Sequence, residues 1–256
     1  MMMNKVVLAS LTAVATSALF AVSTANTYAR VKVTPPSSSV KSMIVAVPVT
    51  SATDGTDVKV PDLIMPFNLK KDDSILKWNG TAYDGWKWNG SSWDAYTVAT
   101  ADEGVVTQSE TPVADTALAR GTAFWFNRAG GFSNESIYLW GQYADDVQVT
   151  SQVQEGLKTK PVWTLLGNPK ATDYNFTNLP DGAEGDEIWI IDNSGNAKKV
   201  VFHSSQWCTI SVKSVTNDKG MTVSTVVYTP VDSSMSVKPG HGFWYMSVGG
   251  APTFNW

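Results

Sequence analysis

The 256-residue chain has one cysteine, two histidines and few charges, and each scarcity removes a class of function. With Cys208 alone there is no internal disulfide, no thiolate cluster and no Cys-rich metal site. The plainest role for a single Cys beside Trp207 is that of a small packed residue. His203 and His241 are not accompanied by a Gly-x-Ser-x-Gly elbow, so no nucleophilic triad is spelled out. Charged residues make up only 16% and the net charge is -4, which leaves no basic patch for nucleic acid. There is neither a Gly-x-Gly-x-x-Gly after a strand nor a P-loop. Gly240-x-Gly242 leads into a strand, so it offers no helix N-terminus to a phosphate. Helical periodicity is almost absent after residue 30.

Aromatics and turn residues are plentiful instead. Aromatics reach 11%, and 11 residues are Trp, so the chain folds through large apolar side chains rather than staying disordered. The first residues read as a secretory leader. Lys5 is followed by the uncharged stretch Val6 to Val22, with small residues permitting cleavage after Ala25 or Ala29. A retained membrane anchor is the other reading, though a run rich in Ala, Ser and Thr is weakly apolar for a span. No later run could cross a bilayer as a helix. An outer-membrane barrel would need strictly alternating strands of about ten residues, which are missing.

The chain echoes itself. Gly121-Thr122-Ala123-Phe124-Trp125-Phe126 with Gly130-Gly131 returns as Gly240-His241-Gly242-Phe243-Trp244-Tyr245 with Gly249-Gly250. Pro48 falls near Pro169, Asp73-Ser74-Ile75 answers Asp186-Glu187-Ile188, Trp93 answers Trp207, and Trp140 answers Trp256. Order is kept and offsets drift only slightly, as expected of a duplication with loop insertions. The expected organisation is a signal peptide at 1–29, a β repeat domain at 30–146 and a second at 147–256, joined at Ala144-Asp145-Asp146. Within each repeat, β-rich runs alternate with turn clusters. Asn79-Gly80, Asn89-Gly90-Ser91-Ser92, Asp192 to Asn196 and His203 to Gln206 mark hairpins. The fold class read from this is all-β: a tandem duplication of a small antiparallel sandwich or barrel, with roughly six to eight strands per repeat.

Candidate chemistry is sparse. Asp72-Asp73, Asp145-Asp146 and Glu184-Gly185-Asp186 are acidic pairs at strand entries, and a glycosidase would need two carboxylates converging on one cleft. Asp73 and Asp186 correspond between repeats, so a strand-start role explains both at once. The loop Asp181 to Asp186 offers oxygen ligands to Ca²⁺, but its spacing fits no EF-hand, and a solvated loop is the simpler reading. The sequons at Asn79, Asn89, Asn134 and Asn175 are read as turn residues. The informative asymmetry is aromatic: Trp86 and Trp88 occur only in repeat one. Residues i and i+2 share a strand face. If that face meets solvent, Tyr83, Trp86, Trp88, Trp93 and Tyr96, with Asn79, Asn89 and Asp84 beside them, form a platform for sugar rings. The opposing reading buries these rings in the core or between repeats.

The order Leu166-Gly167-Asn168-Pro169, Gly185-Asp186-Glu187-Ile188-Trp189, Trp207, then Pro239-Gly240-His241-Gly242-Phe243-Trp244 resembles uncharacterised exported, β-rich bacterial proteins of the Verrucomicrobia and Lentisphaerae type. Repeat one keeps a degraded form, Val47-Pro48 and Arg120-Gly121. The resemblance implies export and a β fold, and brings no activity with it. The expectation is an exported, non-enzymatic structural or adhesive protein of the cell surface or extracellular space. The alternative is a carbohydrate-binding protein using the repeat-one aromatic strand. No cofactor is expected. Expected partners are carbohydrate or other surface proteins, with no nucleic acid and no membrane contact beyond the leader.

Overall fold

The computed structural model describes residues 27–64, 66–80, 82–97, 111–112, 117–143, 148–191, 196–218 and 220–256. The leader up to residue 26, the link Ala144-Asp145-Asp146 and the turn residues Asp192 to Gly195 lie outside the described residues. The first half runs β1 (Thr27–Val33), β2 (Ser42–Ala46), β3 (Val58–Lys59), the single helical turn α1 (Val60–Leu63), β4 (Ser74–Trp78), β5 (Tyr83–Trp88), β6 (Trp93–Thr97), β7 (Thr111–Pro112), β8 (Ala117–Leu118), β9 (Ala123–Asn127) and β10 (Ile137–Tyr143). The second runs β11 (Thr150–Gln152), β12 (Val162–Gly167), β13 (Tyr174–Asn175), β14 (Glu187–Ile191), β15 (Ala197–His203), β16 (Gln206–Thr216), β17 (Thr222–Pro230), β18 (Ser236–Val237), β19 (Gly242–Ser247) and β20 (Thr253–Asn255). The all-β expectation therefore holds. Strands are more numerous than expected because short ribbons flank each main sheet.

Each half has one six-stranded sheet, ordered β2-β9-β4-β5-β6-β7 in the first and β12-β19-β14-β15-β16-β17 in the second. Each also has two ribbons, β1-β10 and β3-β8, then β11-β20 and β13-β18. No barrel closes. The pairings are antiparallel throughout, so tight turns suffice to connect neighbours. Gly80 and Gly90 take φ of +105° and +109°, conformations that a side chain would strain, at the β4-β5 and β5-β6 hairpins. Ser204 and Ser205 both have positive φ at the β15-β16 turn, which matches the primed turn a two-residue hairpin needs.

Each half closes over its own apolar core. The first is built from residues such as Val33, Ile75, Trp86, Phe124, Phe126 and Leu139, and the second from Ile188, Val200, Phe202, Trp207, Phe243 and Tyr245. Phe124 and Phe243 are the Phe of the two Gly-x-x-Phe-Trp cassettes, and both are fully buried, while Trp125 and Trp244 point the other way. One fully buried carboxylate anchors each core. Asp73 accepts from Lys70 N (2.9 Å) and Ala129 N (2.8 Å), and Asp186 from Ala183 N (2.8 Å) and Val248 N (2.7 Å). The third partner differs: the Arg128 Nε lies 3.4 Å from Asp73, whereas the Tyr245 hydroxyl donates to Asp186 at 2.6 Å. Burial nonetheless raises the Asp73 carboxyl above its ordinary range. Both acids tie the start of a central strand to the loop after the cassette strand, as a strand-start role requires.

The sheets meet where β2 and β9 pack on β12 and β19. The contact is reciprocal. Val45 bridges His241 and Thr122 bridges Leu166; Ala46 N donates to Gly240 O, and Gly167 N to Gly121 O. Glycine makes this approach possible. A Cβ on Gly167 would lie 2.5 Å from the Ala46 Cβ, and one on Gly242 would lie 2.5 Å from the Ile44 Cγ2. The match of Trp140 with Trp256 does not hold. Trp140 stands on the outer face of β10 near Arg30, while Trp256 is buried in the second core, because strand parity puts Leu139 inside.

Candidate functional site

The aromatic strand of the first half faces inward. Trp86, Trp88 and Trp93 are only 3%, 6% and 3% exposed, and all belong to the first core. Trp88 meets Trp93 edge to face, with ring centroids 5.7 Å apart. Strand parity separates Tyr83 from them, because an odd position on β5 points to the opposite face. Tyr83 stacks edge-on against Trp78 at 5.0 Å and accepts a hydrogen bond from Trp125. The side chain of Tyr96 lies outside the described residues. The expected solvent-facing platform is therefore not assembled: Trp86 and Trp88 fill the space that the smaller Val200 and Phe202 fill in the second core, and Trp93 sits where the second core has Trp207. The turn amides are also spent. Asn79 holds Ala82 N and Asp84, and Asn89 holds Ser91 N, Ser92 N and Asp94.

Half-buried aromatics do gather elsewhere, between the sheets. Trp78 donates through Nε1 to Trp163 O at 2.8 Å and lies 5.9 Å from the Trp244 ring, which meets Trp163 at 6.0 Å. Glu187 accepts from both Trp189 Nε1 (2.8 Å) and Lys199 Nζ (2.9 Å). The Trp78 hydrogen bond and its ring contact with Trp244 cross from one half to the other, so this part of the cluster ties the two halves together.

Among the described residues no group of three or more His, Cys, Asp and Glu could hold a metal ion. The Asp181 to Asp186 loop cannot use its best ligand, because both Asp186 oxygens are taken by Ala183 N, Val248 N and the Tyr245 hydroxyl. Cys208 is buried, its thiol pushed up by burial and then by Glu184, which is the opposite of what a nucleophile needs. His241 sits in the contact between sheets. Burial lowers its pKa to about 4, Lys238 adding to the effect and Asp173 opposing it.

The exposed chemistry lies in the β16-β17 hairpin. Near its start Trp207 and Cys208 are buried, but from Ser211 on nearly every residue of both strands is exposed. The hairpin thus projects beyond the second core as an arm. Its exposed apolar residues include Val212 (66%) and Met221 (60%), with Val215, Val223, Val226 and Tyr228. Cross-strand pairs stabilise it internally: Val212 faces Val226, Val215 faces Val223, and the Ser214–Ser224 and Thr216–Thr222 hydroxyls bond at 3.2 and 3.1 Å. At its root, His203 stacks on Tyr228 at 3.9 Å and its Nδ1 lies 2.6 Å from Glu184 Oε1. Glu184 also accepts from Ser204 N at 3.0 Å, and these bonds, His203 first, lower its carboxyl pKa. The arm is thereby fixed to the body on one face.

Reading Trp207 to Val212 and Val223 to Tyr228 as strands locates the arm, but not that it leaves the core. The available signal is compositional: from Ser211 to Thr216 the alternation continues with Ser, Thr, Val and Lys only, and that strand offers no large side chain to bury. Fold and surface together define an all-β protein with tryptophan-rich aromatic clusters and a projecting hairpin. Comparison with protein-family models, with curated proteins and with solved structures finds no match for this chain.

Proposed function

We propose that the chain is an exported β-repeat protein serving as a structural or adhesive component outside the cell, with the β16-β17 arm as its contact element. The arm carries the reading: a long, largely uncharged hairpin holding apolar residues in solvent serves contact with something else better than it serves the stability of its own core. Duplication of one β unit, with units at 30–146 and 147–256, is supported by the shared strand order, the paired buried aspartates and the reciprocal bridges. Export is supported by the leader-like stretch. Cleavage after Ala25 would leave β1 whole, whereas cleavage after Ala29 would remove its first three residues.

The test is to excise Ser211 to Val227, rejoin Ile210 to Tyr228 through Asn-Gly, and express the variant in the producing cell. It should be exported and folded but fail to be retained at the surface or to mediate adhesion. Adhesion equal to that of the intact chain refutes the role of the arm. Turnover of a substrate by purified protein, lost on changing one acidic residue, refutes the non-enzymatic reading. Sugar binding through Tyr83, Trp86, Trp88 and Trp93 finds no support in a strand whose three Trp rings lie in the core.

A further inference from the structure

A six-stranded sheet has two edges, and unpaired edges invite association unless they are blunted. Three of the four edges here are managed. β2 and β12 run into the contact between the sheets, and the described part of β7 is two residues long and contains Pro112. The fourth, β17, is nine residues long, and no strand among the described residues pairs with its outer side. From Thr222 to Thr229 it holds no charge and no proline, and its register with β16 is continuous, without a bulge.

The register fixes which amides face outward. Val231 N donates to Trp207 O and Asn217 N to Met221 O, so the hydrogen-bonded pairs of this hairpin fall at the odd positions. Val223, Thr225, Val227 and Thr229 therefore turn their backbone groups toward β16. Thr222, Ser224, Val226 and Tyr228 turn theirs outward.

We infer that β17 pairs antiparallel with β17 of a second copy of this chain, about a two-fold axis at Thr225. This deepens the reading of the arm as a contact element and rests on it. In that register Thr222 meets the second copy's Tyr228 and Ser224 meets its Val226. All four outward residues then form hydrogen-bonded pairs, about eight backbone bonds in all. Val223 meets Val227 twice on the other face, and Thr225 meets itself. An uncharged strand can meet its own copy without like-charge repulsion, which is why a second copy fits this edge. A two-fold pairing uses the edge completely and stops at two chains. The seven paired residues of each edge span about 24 Å, a small contact, so the association is reversible and depends on concentration.

The test is sedimentation equilibrium or light scattering on the full chain across a dilution series. The expected result is a monomer–dimer equilibrium with no larger species. Ser224→Pro and Val226→Pro each remove an outward donor and leave the β16 ladder intact, and each should abolish the dimer. Hydrogen exchange at Val223 and Thr225 reports whether the arm stays folded. Val226→Thr keeps every backbone group and should keep the dimer. A monomer at every concentration up to about 1 mM overturns the inference. So does a dimer that survives both proline changes with the arm folded, or an open ladder of oligomers. A strictly monomeric protein that still lost adhesion on arm excision would sink the self-pairing and leave the adhesive reading standing.

Discussion

Asp186 is a residue whose removal should cost the fold heavily. It is fully buried, and its two oxygens accept from three donors: Val248 N at 2.7 Å, Ala183 N at 2.8 Å and the Tyr245 hydroxyl at 2.6 Å. Asp186→Ala leaves all three without a partner in a site closed to water. Each stranded donor costs about 1–3 kcal/mol, and relief of the buried carboxylate returns part of the sum. A net loss of about 4 kcal/mol follows, or a fall in Tm of roughly 8–16 °C for a chain of this size. Asp186→Asn keeps the shape but turns an NH₂ toward one of the donors, and should cost about 2 kcal/mol. Tyr245→Phe recreates what the first half has at Phe126 and should cost only about 1–2 kcal/mol, since the carboxylate keeps both backbone donors. Urea unfolding of the three variants at pH 7 gives the ranking. An Asp186→Ala change below about 1 kcal/mol, or one no larger than that of Tyr245→Phe, would refute the hydrogen-bond reasoning.

Other consequences are equally checkable. Gly242→Val pushes a Cβ to 2.5 Å from the Ile44 Cγ2 and 2.6 Å from Leu166 O, so it should destabilise by about 3 kcal/mol or more in denaturant. Gly90→Ala meets no atom within 4 Å, yet its φ of +109° should cost about 1–2 kcal/mol, a purely backbone effect. Trp86→Ala should lose about 3–5 kcal/mol through a core cavity and leave glycan-array signals unchanged. His241, neutral in the fold with a pKa of about 4 against 6.5 unfolded, binds fewer protons when folded. Stability from this group is therefore complete above pH 6.5 and is lost as pH falls toward 4, by at most about 3 kcal/mol. His241→Thr, the residue its counterpart Thr122 already is, should flatten the urea midpoint across that window.

Local signals carried much of the architecture. Asn-Gly turns between β-rich runs located the β4-β5 and β5-β6 hairpins, and Gly80 and Gly90 there adopt the positive φ that such turns demand. The recurring Asp before each central strand was legible as structural because it recurs, and both carboxylates are buried clamps. The repeated cassette was legible as a packing strand for the same reason, and Phe124 and Phe243 lie at the bottom of the two cores.

What the sequence determined by itself was periodicity: strands of period two, turns where Gly and Asn permit them, and pairs of positions that must share a face. Which face lies inside was decided only by the tertiary structure. Trp86 and Trp88 were bound to point the same way, but either side of β5 satisfied the pattern, and packing against Ile75 and Trp93 turned them into the core. The arm is the converse case. Its residues are good strand formers wherever they are placed, and its projection into solvent follows from the core ending at Trp207 and Cys208 while the ladder of backbone bonds, which needs no core, runs on to Thr216.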